Sequence, residues 1–240
     1  MSEVFRGRSG LVPALDMATL EALERVVRAT CGVEGVTGYK LGLTAVLRLG
    51  LAPAMARLRE LTDLPVLYDH QKAGPDMPDM AAKFTAICAE AKVTGLILFP
   101  VAGPTAVRQF GGEALKQGLV PVVGGEIPVA DYTISGGGYL ADDALDRIMA
   151  DAAAVGVDHF VLPARDPEAI ERRCRWMREH LPQPVVFLTG FGPLGGSIAE
   201  GFARAGAMSG RHAIVGRLVF AADDPGEAAR RLAGEILEAA

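Results

Sequence analysis

Eight short apolar runs recur along the 240-residue chain, and what lies between them restricts the fold more than any other feature. The runs are LVPALD (11–16), VTGYKLG (36–42), PVLYDHQ (65–71), GLILFPVA (95–102), VPVVGGEI (120–127), HFVLPA (159–164), PVVFLTG (184–190) and HAIVGRLVF (212–220). Amphipathic segments such as ATLEALERVVRAT and PEAIERRCRWMREH separate them, with apolar residues at helical spacing. A last segment, DPGEAARRLAGEILEAA, opens on a helix start signal. Alternating strand and helix implies a parallel sheet, since each parallel pairing needs a crossover. Eight such units predict a (β/α)8 barrel, the TIM-barrel class of α/β fold, as a single domain over residues 1–240. The rival, an open doubly wound sheet, expects a Gly-x-Gly-x-x-Gly turn after the first strand, and none is there.

Composition removes several functions. Half of the residues are hydrophobic, which supplies a large core, and the net charge of -5 comes from interspersed acids and bases. No basic run suggests a nucleic acid polymer as partner. No apolar segment reaches the ~20 residues of a membrane span, and the N-terminal MSEVFRGRSG has no apolar signal core. Cys31, Cys88 and Cys174 are far apart and lack metal-ligand spacing, as do His70, His159, His180 and His212. The expectation is a cytoplasmic protein with reduced cysteines and no metal site.

A barrel of this kind carries its chemistry at the C-terminal ends of the strands. Asp16 closes the first run, Lys40 lies near the end of the second, and Asp69, Lys72 and Asp76 cluster at the end of the third. The seventh run leads into TGFGPLGGS, with Gly192, Gly195 and Gly196, and the eighth carries VGR, with Gly216 and Arg217. Glycine-rich backbone after strand 7, joined by a residue after strand 8, is the usual phosphate site of such barrels. Arg217 adds a permanent, forked positive charge. The expected ligand is a phosphorylated small molecule. A lysine on an apolar strand is costly to bury unpaired, unless it reaches solvent at the strand end.

This order of residues, from ALD and YKLG through Asp/Lys/Asp to the glycine turn and VGR followed by ADDPGEAA, resembles the orotidine 5'-phosphate decarboxylase family over nearly the whole chain. The resemblance implies decarboxylation of orotidine monophosphate (OMP) to UMP, in pyrimidine biosynthesis, without a cofactor. It casts Lys72 as proton donor between Asp69 and Asp76, and Asp16 and Lys40 as ligands of the ribose. Gly192, Gly195, Gly196, Gly216 and Arg217 fall to the phosphate. It also implies a homodimer in which Asp76 crosses to the partner's site. Related metal-dependent sugar-phosphate decarboxylases and aldolases have a metal-binding acid on strand 2, where this chain has Lys40; a noncatalytic nucleotide-binding paralogue is the other alternative. Two departures stand out: the family spacing Asp-x-Lys-x-x-Asp is stretched here, and Leu194 occupies a place where the resemblance leads one to expect glutamine.

Overall fold

A computed structural model describes residues 3–70 and 77–239. Eight parallel strands close into a barrel in sequence order: β1 (Arg8–Leu15), β2 (Tyr39–Leu41), β3 (Val66–Asp69), β4 (Gly95–Leu98), β5 (Val120–Val123), β6 (His159–Pro163), β7 (Val185–Thr189) and β8 (Gly210–Val215). The closing pair aligns Arg8 with Gly210 and Pro13 with Val215. Helices α1 (Leu20–Thr30), α2 (Leu43–Leu49), α3 (Leu51–Arg59), α4 (Ala81–Glu90), α5 (Pro104–Lys116), α6 (Ala144–Ala153), α7 (Pro167–His180), α8 (Ile198–Ala205), α9 (Arg217–Phe220) and α10 (Pro225–Glu238) surround it. The predicted (β/α)8 architecture is present.

Local chemistry sets the helix starts. Asp166 and Asp224 accept hydrogen bonds from the first free amides of α7 and α10, and each is followed by proline at the first helical position. Several runs outlast their strands: GLILFPVA extends to residue 102 where β4 stops at Leu98, and VPVVGGEI to residue 127 where β5 stops at Val123. The run HAIVGRLVF was read as one strand to residue 220, but β8 stops at Val215 and Arg217 opens α9. Gly216 breaks the strand between them, with φ -95° and ψ -100°. A short apolar run does not distinguish strand from helix.

Strand parity divides the core in two. One cluster lies outside the barrel against the helices, while Val12, Ala14, Leu67, Ile97, Val122, Val161, Phe187 and Ile214 belong to a second, inner cluster. The floor of that inner core is closed by the N-terminal segment. Phe5 is fully buried, edge-on to Phe187 at 5.1 Å, and its carbonyl accepts from Nε2 of His212 at 2.8 Å. Because a carbonyl can only accept, Nε2 carries the His212 proton, and Nδ1 accepts from the Thr37 hydroxyl at 2.9 Å. Arg6 pairs with Asp158 and donates to the Gln183 carbonyl, and His159 Nε2 lies 3.3 Å from the Val4 carbonyl. No helix among the described residues is long and apolar enough to cross a membrane.

Candidate active site

The inward side-chain series of the first three strands ends in charges. Ala14 faces the inner core and Asp16 lies two residues on; Leu67 faces the same core and Asp69 lies two residues on. Lys40 is in register with both Ala14 and Leu67, so its side chain emerges between those two strands' terminal acids. Its ammonium donates to Asp69 Oδ2 at 2.8 Å and to Asp16 at 3.0 and 3.3 Å. Lys40 is 5 % exposed and Asp69 fully buried. Burial by itself would push the Lys40 pKa down, but the charges and hydrogen bonds of Asp69 and Asp16 outweigh it and hold the ammonium above its ordinary range. The lysine is therefore a fixed positive charge in the barrel mouth.

This arrangement regroups the sequence-predicted residues. Asp16 and Lys40, read as a ribose-binding pair, do stand together. Asp69, read as a partner of Lys72, is joined to Lys40, which links both acids into one Asp–Lys–Asp array. Lys72 and Asp76 lie outside the described residues. Sequence reasoning identified each member but not the central role of Lys40. Strand parity carries the signal that would have shown it, because positions 14 and 16, 40, and 67 and 69 all point inward.

Beside the array, a cleft of about 350 Å³ runs from Asp16 to Arg217, bounded by Gly190, Phe191 and Leu194 on one wall and Gly216 and Leu218 on the other. Arg217 is exposed at its edge. Thr44, at the start of α2, also lines it and went unnoticed in the sequence. The glycine turn is tightly self-bonded: the Gly195 amide donates to the Gly192 carbonyl at 2.9 Å, and the Gly196 amide to the Gly190 carbonyl at 3.0 Å. Gly192 and Gly195 hold φ of +69° and +89°, which a side chain would strain. The amides of Gly195 and Gly196 thus bond within the turn, and the residues of the turn that line the cleft are Gly190, Phe191, Pro193 and Leu194 rather than the three glycines expected there. Among the described residues, no three His, Cys, Asp or Glu side chains are grouped to hold a metal ion.

A parallel eight-stranded barrel with a buried charged array at the strand C-termini, next to an arginine-edged cleft, has the layout of a barrel enzyme. The model of the orotidine 5'-phosphate decarboxylase / HUMPS family matches residues 9–232, and the chain belongs to that family. Among curated proteins, the orotidine 5'-phosphate decarboxylase of Thermococcus kodakarensis is 27% identical over 231 residues, covering 96% of this chain and 98% of its own. That of Methylorubrum extorquens is 28% identical over 249 residues, with both chains covered in full. The relatives bear the name of a carboxy-lyase. In solved structures the fold resembles orotidine 5'-monophosphate decarboxylase from Methanocaldococcus jannaschii, complexed with inhibitor BMP, at a TM-score of 0.79 and 21% identity, with 95% of this chain and 98% of that chain covered. The Sulfolobus solfataricus enzyme aligns at a TM-score of 0.75 and 17% identity, covering 96% and 99%.

Proposed function

We propose that this chain is a carboxy-lyase that converts OMP to UMP without a cofactor, in pyrimidine biosynthesis. The observation that carries the reading is the buried Asp16–Lys40–Asp69 array at the barrel mouth, beside the Arg217 cleft. Loss of carbon dioxide from the pyrimidine leaves an electron pair on C6 with nothing in the ring to delocalise it, so the protein must meet that charge with fixed electrostatics. Asp69 crowds the departing carboxylate. Lys72 supplies the ammonium that faces the developing carbanion and then transfers its proton to C6, with Asp69 and Asp76 holding it charged and oriented. Lys40 and Asp16 take the ribose hydroxyls, and Arg217 takes the phosphate. Binding energy at that remote phosphate serves orientation at the reacting carbon. The working form is a cytoplasmic homodimer in which Asp76 reaches the partner's site.

A second assignment of the acid rests on one distance. Lys40 is the ammonium observed against Asp69, at 2.8 Å, and would be the proton donor if Lys72 faced elsewhere. The primary experiment follows the absorbance change of OMP with purified protein, with and without EDTA. Turnover indifferent to the chelator supports the cofactor-free decarboxylase. Turnover abolished by it would move the chain to the metal-dependent side of the superfamily, and absence of turnover with retained UMP binding would make it a noncatalytic nucleotide-binding protein.

A further inference from the structure

Arg173 sits in the middle of α7 and looks in the sequence like one more charge in ERRCRWMREH, yet it is only 5 % exposed. Its two ends of the fork are both engaged: Nε donates to Asp146 Oδ1 at 2.7 Å, and the terminal nitrogen lies 2.9 Å from Glu126 Oε2. Glu126 stands three residues beyond β5, and Asp146 lies in the first turn of α6. One guanidinium therefore ties together both ends of the long connection between β5 and α6. A buried, forked cation can do this; a lysine offers a point charge without the paired geometry.

The start of that connection is built to deliver Glu126 to the clamp. A Cβ on Gly124 would lie 2.3 Å from the Phe99 ring, and one on Gly125 would lie 2.7 Å from Ile148, so the chain passes flush between the barrel interior and α6. Immediately after Glu126, Ile127 packs on the inner core cluster at the mouth. Pro128 then abuts Gly190, where a Cβ would be 3.2 Å from its ring. Gly190 lines the Arg217 cleft. A continuous line of contacts thus runs from Arg173 through Glu126, Ile127 and Pro128 to the wall of the site.

We propose that Arg173 is a positioning residue: by clamping Glu126 and Asp146 it fixes the Ile127–Pro128 segment against Gly190, and so sets the wall of the Arg217 cleft that takes the phosphate of the ligand. The ligand half of this inference rests on the proposed nucleotide reading of the site; the clamp itself does not. Arg173→Lys takes the paired fork, and Glu126→Gln the negative charge, out of the link to the segment. In either variant, calorimetry is expected to show UMP and ribose 5-phosphate, which share the phosphate, each bound about tenfold more weakly than by the unaltered protein. KM for OMP should rise in step. Amide hydrogen exchange across residues 126–133 should accelerate about tenfold or more, with β7 unchanged. Glu126 is partly exposed, so the Gln variant remains informative if Arg173→Lys fails to fold. Unchanged exchange over 126–133, or UMP and ribose 5-phosphate bound as tightly as by the unaltered protein, would overturn the proposal. If the unaltered protein binds no UMP while exchange accelerates as expected, the nucleotide reading fails and the clamp stands.

Discussion

Gly42 and Asp16 occupy the same corner of the barrel mouth: a Cβ on residue 42 would stand 1.5 Å from Oδ1 of Asp16. No rotamer change at position 42 relieves this, because Cβ is fixed by the backbone. Gly42→Ala should therefore displace the Asp16 carboxylate from Lys40 while leaving the barrel folded. The expected outcome is a loss of UMP affinity by about one decade, the scale of one charge-assisted hydrogen bond, read by calorimetry alongside unchanged far-UV circular dichroism.

Removing the ammonium from the array has a different cost. Lys40→Ala takes from Asp69, which is fully buried, the ammonium that lies 2.8 Å from it. Breaking one side of such a pair costs roughly 3–5 kcal/mol. The double variant Lys40→Ala/Asp69→Asn should recover part of that loss in urea denaturation, since the carboxylate that lost its ammonium is then neutral. A double variant less stable than Lys40→Ala would contradict the pairing.

For the proton donor, single-turnover measurements on OMP separate the two lysines. Lys72→Ala should abolish decarboxylation yet bind UMP, because the ammonium acts on the transition state whereas ribose and phosphate are held by Asp16, Lys40 and Arg217. Near-normal turnover in Lys72→Ala, with Lys40→Ala alone inactive and still binding UMP, would transfer the role to Lys40.

Arg217 is exposed at the cleft edge, so its removal should leave the fold and the melting temperature intact. Arg217→Ala is expected to raise KM by about one to two decades, the equivalent of roughly 1.5–3 kcal/mol for a charge-assisted contact. UMP binding as tight as in the unaltered protein would remove Arg217 from the phosphate site.

The barrel floor predicts an acid-sensitive stability. Burial pushes the His212 pKa down to about 3, against the opposing hydrogen bond to Phe5, and the nearby Arg8 and His159 push in the same direction as burial. The unfolded chain takes up a proton on this histidine near pH 6.5 while the folded chain does not. Its contribution is therefore fully present above about pH 6.5 and is lost as pH falls toward 3, at about 1.4 kcal/mol per unit. Asp158 is held below its usual range because His159 and Arg6 outweigh its burial, and its own loss comes at still lower pH. Denaturant unfolding at pH 7.5 and pH 5 should show His212→Asn losing about 2 kcal/mol less than the unaltered protein across that interval.

Much of this was visible in the residues alone, and the part that was not has a physical reason. Alternation of strand and helix is a long-range pattern, and it led to the barrel. The charges at strand ends marked the mouth. Which acid Lys40 would meet depends on register between three strands, fixed by closure of the barrel rather than by local spacing. Arg173 was hidden for a related reason: in a helix with charges at nearly every turn, nothing local tells a buried arginine from a solvated one until Glu126 arrives from β5. Phe5 lies before the first apolar run, and its burial appears only once β7 and β8 supply Phe187 and His212.

That last dependence has a consequence for how the chain is made. The contact between Phe5 and His212 spans 207 residues, and the one between Arg6 and Gln183 spans 177. On the ribosome the opening residues leave the exit tunnel long before the strands they seal, so the floor stays open until β8 has emerged. Early strands can pair locally, but the inner core is water-tight only after β7 and β8 have come back to meet Phe5 and Arg6. Such distant closure makes the last step of folding slow and all-or-none. A nascent barrel stalled before β8 would present an apolar lumen to chaperones.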